Sequence, residues 1–156
     1  MRLNVKLTDG APLPFHAKPG DAGMDLTTRE TVEIAPGGTV LVHTGVAAEI
    51  PEGYYGAIVP RSGMASKRGI TLANTPSTID SGYRGEILLP LHNIAPSHIF
   101  ANGQCLPNFD GFVTIERGER VAQLIILPHA TCECVAVDEL SDTERGDTGF
   151  GSSGTV

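Results

Sequence analysis

The sequence predicts an all-β protein, an antiparallel sandwich, barrel or jelly roll with one short helix, and three observations carry that prediction. Nineteen glycines and eleven prolines stand among 156 residues, a density that breaks long helices and suits short strands joined by turns. β-Branched and aromatic runs recur roughly every ten residues, each bounded by Gly or Pro. No stretch sustains the apolar period of a helix. The length suits one domain with a proper core and is short for two.

Residues 2–7 alternate, with Leu3, Val5 and Leu7 on one face, and predict the first strand. Residues 10–23 are rich in Pro and Gly and predict a loop. Strands are expected at 31–34, 39–46 and 54–59. Pro60-Arg61-Ser62-Gly63 breaks the last of these, and 62–68 predicts the helix with Ser62 as its N-cap. Further strands are expected at 69–73, 83–94, 111–115, 119–127 and 132–137. Asn74-Thr75-Pro76-Ser77 is a turn signal, which places Asp80 and Tyr83 at the lip of a β-hairpin. Residues 96–110 read as a surface loop packed on Phe100 and Phe109, or as a lid or partner-binding loop. The tail, 138–156, is polar and rich in Gly, Ser and Thr, and its composition alone predicts disorder.

Composition excludes several functions. A net charge of −7 leaves no basic surface to follow a nucleic-acid backbone, so no nucleic-acid partner is expected. Cys105, Cys132 and Cys134 make no disulfide framework, and Cys-x-Cys lacks the further ligands of a zinc site. Reduced, mostly buried thiols in a cytoplasmic protein are expected. His16, His43, His92, His98 and His129 show no metal-ligand spacing. The sequence shows no apolar run of about 18 residues and no signal peptide, so no membrane association is expected.

Five segments carry chemistry. Asp80 and Tyr83 form either a polar turn with Asp80 as a local cap, or a lip where backbone amides read a flat ligand and a carboxylate holds a water. Arg61, Ser62 and Gly63 stand at a strand-to-helix turn, a place suited to phosphate but also common as a solvated turn. Arg120 and Gln123 lie three apart on a strand and are expected to face opposite sides. Gly149 to Gly154 offers closely spaced backbone N–H groups and two hydroxyls, with Arg145 as a bidentate phosphate donor and Phe150 as a stacking ring. The fifth segment is Asp21-Ala22-Gly23-Met24-Asp25-Leu26.

In this order and spacing, these segments resemble the five motifs of the trimeric dUTPases, the deoxyuridine triphosphate nucleotidohydrolases, from about Asp21 to the C-terminus. The resemblance implies a jelly-roll homotrimer in which 1–137 form the β domain. It makes 138–156 a flexible arm closing over an active site of another subunit. It places Phe150 over the uracil of dUTP and Arg145, Gly151, Ser152 and Ser153 on the phosphates. Arg61, Ser62 and Gly63 also meet the triphosphate, with Ser62 beside the α–β bond to stabilise the leaving pyrophosphate. Gln123 becomes a phosphate contact, and Arg120 a phosphate or interface residue.

Backbone between Asn74 and Ile79 would read the uracil edge and reject cytosine by ~10⁴-fold. Tyr83 under the sugar would exclude a 2′-hydroxyl. Asp80 is the implied general base for water attack on the α-phosphorus, giving dUMP and pyrophosphate. That reaction limits uracil incorporation into DNA and supplies dUMP for dTMP synthesis. Mg²⁺ is implied by the substrate, with Asp25 either holding its hydration shell or serving as a cap or salt bridge in a turn. Ser77 replaces a common family Gly and would be strained by ~1 kcal/mol if that position needs a positive φ. Rival readings are a dCTP deaminase of the same fold, a regulator with a protein partner, and a β module without ligand.

Overall fold

Short antiparallel strands follow one another along the chain in the computed structural model, which describes residues 1–8, 10–101, 104–144 and 146–147. They are β1 (Asn4–Leu7), β2 (Met24–Thr27), β3 (Val32–Ile34), β4 (Thr39–His43), β5 (Val46–Glu49) and β6 (Tyr54–Pro60). The helix α1 (Ser62–Arg68) comes next, then β7 (Ile70–Leu72), β8 (Ser77–Ile79), β9 (Leu88–Asn93), β10 (His98–Ala101), β11 (Gln104–Pro107), β12 (Val113–Ile115) and β13 (Arg120–Pro128). A four-stranded sheet runs β2-β13-β6-β8 and a three-stranded sheet runs β4-β9-β7, with pairs β1-β5, β3-β12 and β10-β11 beside them. The all-β class is the one the sequence predicts.

The core follows from strand alternation. Leu26, Ile58 and Leu124 come from the larger sheet, and Val42, Ile70, Leu72, Leu89 and Leu91 from the smaller. All belong to one buried cluster. On β9 the inward positions Leu89, Leu91 and Asn93 are buried while Leu88 is exposed. Buried Asn93 is tolerated because its amide is satisfied: Nδ2 donates to the carbonyls of Ile34 (3.0 Å) and Gly111 (2.7 Å), and Oδ1 accepts from the Ala95 N–H.

Several expectations change. The run 39–46 is two strands, because Gly45 takes a positive φ of 71° and turns the chain, so that β5 pairs with β1. Asp25 lies in β2, where no strand was expected. Ser62 is not the N-cap: the Arg61 carbonyl accepts from the N–H groups of Met64 and Ala65, Arg61 caps through its backbone, and Ser62 opens the first turn. The helix ends at Gly69, in the left-handed conformation.

The expected hairpin at Asp80 is not one. β8 pairs with β6, while β9 pairs with β4 and β7, so residues 80–87 cross from one sheet to the other. Ser77 begins β8 opposite Ile58, an extended position that removes the expected strain. Residues 96–110 are not an irregular loop, since β10 and β11 pair His98 with Pro107 through Ala101 with Gln104. Residues 132–137 form no strand, having no ladder partner among the described residues. Cys105, Cys132 and Cys134 are free, as expected, but exposed rather than buried.

Candidate active site

Asp25 organises one end of the larger sheet. Its side chain is 1% exposed, and both oxygens are engaged. Oδ1 lies 3.1 Å from Arg61 Nε and accepts from Gln123 Nε2 at 3.1 Å, while Oδ2 accepts from Arg120 Nη1 at 3.0 Å. Burial of a carboxylate is compensated only by such pairing. Arg61 also donates through Nη1 to the Arg120 carbonyl at 3.0 Å. Two guanidiniums meet one carboxylate, which leaves excess positive charge and further N–H donors suited to a polyanion.

Arg120 and Gln123 therefore act on the same side, against the expectation from strand alternation. The register of β13 against β2 shifts between Arg120 and Ala122, and such a bulge re-aims one side chain. Gly23 makes room for Gln123: a Cβ there would lie 3.0 Å from Gln123 Cβ and Cδ. Ser62 and Gly63 stand exposed at the start of α1, and a Cβ on Gly63 would meet nothing in this chain.

The second constellation surrounds a pocket of about 250 Å³ lined by Asn74, Ser77, Thr78, Ile79, Asp80, Tyr83, Glu86, Ile87, Leu88 and Pro90. Four of the residues expected to read base and sugar, or to hold the water, thus share one cavity: Asn74, Ile79, Asp80 and Tyr83. Asp80 is exposed, and its carbonyl accepts from the Tyr83 N–H at 3.0 Å, closing a turn. The Tyr83 hydroxyl donates to the Glu86 carbonyl at 2.9 Å. Gly85 permits this, since a Cβ there would lie 2.4 Å from the Tyr83 hydroxyl. The Ser77 hydroxyl donates to the Asn74 carbonyl, holding the approach to β8.

Glu86 and Arg84, for which the sequence alone predicts no role, hold this loop. Glu86 accepts from the Gly45 N–H at 2.6 Å and lies 3.0 Å from His43 Nδ1. Arg84 donates to the carbonyls of Ser81 (2.6 Å) and Tyr83 (2.9 Å). The one available signal was a pair of opposite charges flanking a glycine where the loop enters β9.

The two constellations do not meet within one chain. Asp25 is opposite Gln123 and Gln123 opposite Val59, whereas Ile79, beside Asp80, is opposite Gly56. Strand rise and spacing then put Asp80 about 13 Å along and about 14 Å across the sheet from Asp25, about 20 Å in all. Arg145, Phe150, Gly151, Ser152 and Ser153 lie outside the described residues.

The described residues contain no group of three or more His, Cys, Asp or Glu side chains that would hold a metal. Asp25 forms ion pairs with Arg61 and Arg120, on a strand where a turn was expected. No helix among the described residues is long and apolar enough to cross a membrane.

Comparison with known proteins shows the family. The family model described as dUTPase matches residues 9–154. The deoxyuridine 5′-triphosphate nucleotidohydrolase of Thermobifida fusca is 47% identical over 155 residues, covering 99% of this chain and 79% of that protein. The nucleotidohydrolase of Hydrogenobaculum sp. is also 47% identical, covering 99% of each. Among solved structures, the Staphylococcus bacteriophage 80alpha dUTPase with dUpNHpp superposes with a TM-score of 0.86 at 37% identity, covering 99% of each chain. A mutant dUTPase of phage phi11 of S. aureus, described with a structural Mg(II) ion, superposes with a TM-score of 0.75 at 32% identity, over 89% of this chain and 98% of that one. Motif order, fold and relatives coincide over nearly the whole length, and the chain belongs to the dUTPase family.

Proposed function

We propose that this dUTPase acts as a homotrimer whose sites are each assembled from more than one subunit, hydrolysing dUTP to dUMP and pyrophosphate. The observation that supports it is the separation of Asp80 from the Arg61–Asp25–Arg120–Gln123 cluster. A base must reach its proton at hydrogen-bond distance or through one water, and phosphate donors must touch the same triphosphate. At about 20 Å one chain cannot bring both to one phosphorus. A closed symmetric assembly can, by presenting the Asp80 pocket of one copy to the arginine cluster of the next.

In this reading the backbone from Asn74 to Ile79 reads uracil and Tyr83 packs under the deoxyribose. Asp80 positions a water and takes its proton as the oxygen bonds to the α-phosphorus. The bond from that phosphorus to the bridging oxygen breaks, and pyrophosphate leaves towards Ser62, Gly63, Arg61 and Gln123 of another subunit. Residues 138–156 serve as the arm, with Phe150 on the base and Arg145, Gly151, Ser152 and Ser153 on the phosphates. Magnesium, bound chiefly to the substrate phosphates, would neutralise part of their charge, with Asp25 reaching its hydration shell through water. The reaction keeps uracil out of DNA and supplies dUMP for dTMP synthesis.

Pyrophosphate release measured with dUTP, dCTP, dTTP and UTP tests this reading. Turnover of dUTP alone is expected, whereas ammonia release from dCTP would replace the reading with a deaminase. The separate β10–β11 hairpin, with Ile99 and Leu106 paired and exposed, favours a second reading, a protein partner added to catalysis. Capture of a partner that depends on this hairpin and changes with dUTP would support it.

A further inference from the structure

We infer that Glu86 is a positioning residue for sugar selection, holding Tyr83 in place by tying residues 80–87 to the turn between β4 and β5. The inference rests on the proposed placement of deoxyribose on Tyr83. Tyr83 is 44% exposed, so packing alone does not fix its ring. Its hydroxyl is held by the Glu86 carbonyl, so the ring is set by where the Glu86 backbone sits.

That carbonyl shares a planar peptide with the Ile87 N–H, so two restraints set it, the Ile87 hydrogen bond at one end and the Glu86 side chain at the other. Oε1 accepts from the Gly45 N–H at 2.6 Å and Oε2 meets His43 Nδ1 at 3.0 Å. Gly45 is itself held, because its carbonyl accepts from the Thr8 N–H at 2.8 Å and the Thr8 hydroxyl at 3.1 Å. Only glycine fits there: it has a φ of 71°, and a Cβ would lie 2.5 Å from Arg29 Cδ and 2.6 Å from Ala11 Cβ. One residue on, Ile87 is clamped independently: its N–H donates to the Val46 carbonyl at 2.8 Å, and its carbonyl accepts from the buried Thr44 hydroxyl at 2.7 Å. Loss of the Glu86 carboxylate therefore removes the restraint at the Cα end of the Glu86–Ile87 peptide, which can then pivot about the Ile87 hydrogen bond and carry the Glu86 carbonyl and the Tyr83 ring with it.

The charged groups facing His43 are Glu86, Glu30 and Arg29. The hydrogen bond to Glu86 and its charge hold the imidazole above its ordinary value of 6.5. Burial raises the Glu86 carboxyl, but the hydrogen bonds from His43 and the Gly45 N–H outweigh it and hold that carboxyl below its ordinary value. The charged pair is therefore complete in mildly acid solution and weakens as pH rises through the His43 value.

Steady-state kinetics and calorimetric binding of dUTP and UTP to wild type, Glu86→Ala and Glu86→Gln test the inference, with melting temperature as a check on folding. Glu86→Ala is expected to raise KM for dUTP about tenfold and to lower the dUTP-over-UTP preference by a similar factor, with a smaller change in kcat. Glu86→Gln, which retains an acceptor for Gly45, should recover most of both. A merely structural role would lower the melting temperature without moving the preference. Folded Glu86→Ala with unchanged preference overturns the inference and leaves the proposed function standing. Wild type that neither binds nor hydrolyses dUTP overturns both. In wild type the preference should soften by about two- to fivefold as pH rises through the His43 value, and His43→Ala should lack that limb.

Discussion

At one end of β6 a buried carboxylate gathers two arginines and an amide, while beyond its other end an exposed carboxylate stands on a loop held mainly through its backbone. The Asp25 cluster is built on ladder positions of β2 and β13, where strand pairing fixes the donors before any ligand arrives. The Asp80 loop crosses between sheets and depends on Gly85, Glu86 and Arg84 for its shape. Charge recognition tolerates an approximate fit, so it can be delegated to a rigid cationic cluster. Telling one base or sugar from another needs a surface that fits at every group. The two regions lie about 20 Å apart in each chain, and in the proposed assembly neighbouring subunits join them.

Substitutions should affect the two regions differently. Asp80→Asn is expected to lose about 10²–10⁴-fold in turnover with an unchanged melting temperature, since Asp80 is exposed and its side chain makes no hydrogen bond or ion pair among the described residues. Stopped-flow turnover and calorimetry together check this. Asp25→Asn should do the reverse first, because it leaves two arginines without their buried counter-charge. A loss of about 2–3 kcal/mol is expected, seen as a melting temperature lowered by about 5–10 °C, with phosphate affinity falling as Arg61 and Arg120 lose their orientation. If Asp25→Asn leaves stability unchanged, the cluster is not held as described.

Gly85→Ala belongs to the loop and should be milder: the new Cβ displaces the Tyr83 ring, raising KM for dUTP about tenfold while the fold persists. Smallest is His43→Ala. The raised His43 value means its pairing contributes fully below about 6.5 and is lost as pH rises through the higher folded value. The lowered Glu86 value means its share is present above 4.5 and is lost as pH falls through the lower folded value. Full coupling therefore occupies pH 4.5–6.5, and melting temperatures of wild type and His43→Ala should differ most there and converge in alkaline solution.

Much of this was legible in the sequence because local chemistry decides it. Gly and Pro density gave the all-β class, and Tyr54 through Arg68 read as strand, break and helix in the right order. Asp80, Tyr83, Asn74 and Ile79 proved to line one pocket. What escaped depends on pairing at a distance. Strand alternation put Arg120 and Gln123 on opposite sides, and only the bulge between Arg120 and Ala122 brings both to Asp25. The turn at Asn74 suggested a hairpin, but β8 finds its partner in β6, about twenty residues earlier in the chain. Gly45 splits a run that reads as one strand, and Glu86 acquires its part only through that split.

The central claim is that Asp80 and Arg61 act on the same substrate from different subunits, and complementation tests it most directly. Asp80→Asn and Arg61→Ala chains, each inactive alone, would be mixed in equal amounts, unfolded and reassembled together. If sites are shared, each has an independent chance of drawing an intact Asp80 and an intact Arg61, and about a quarter of wild-type dUTP turnover should return. Activity no greater than the sum of the two separate variants would contradict the account, since every site would then carry one defect or the other within a single chain.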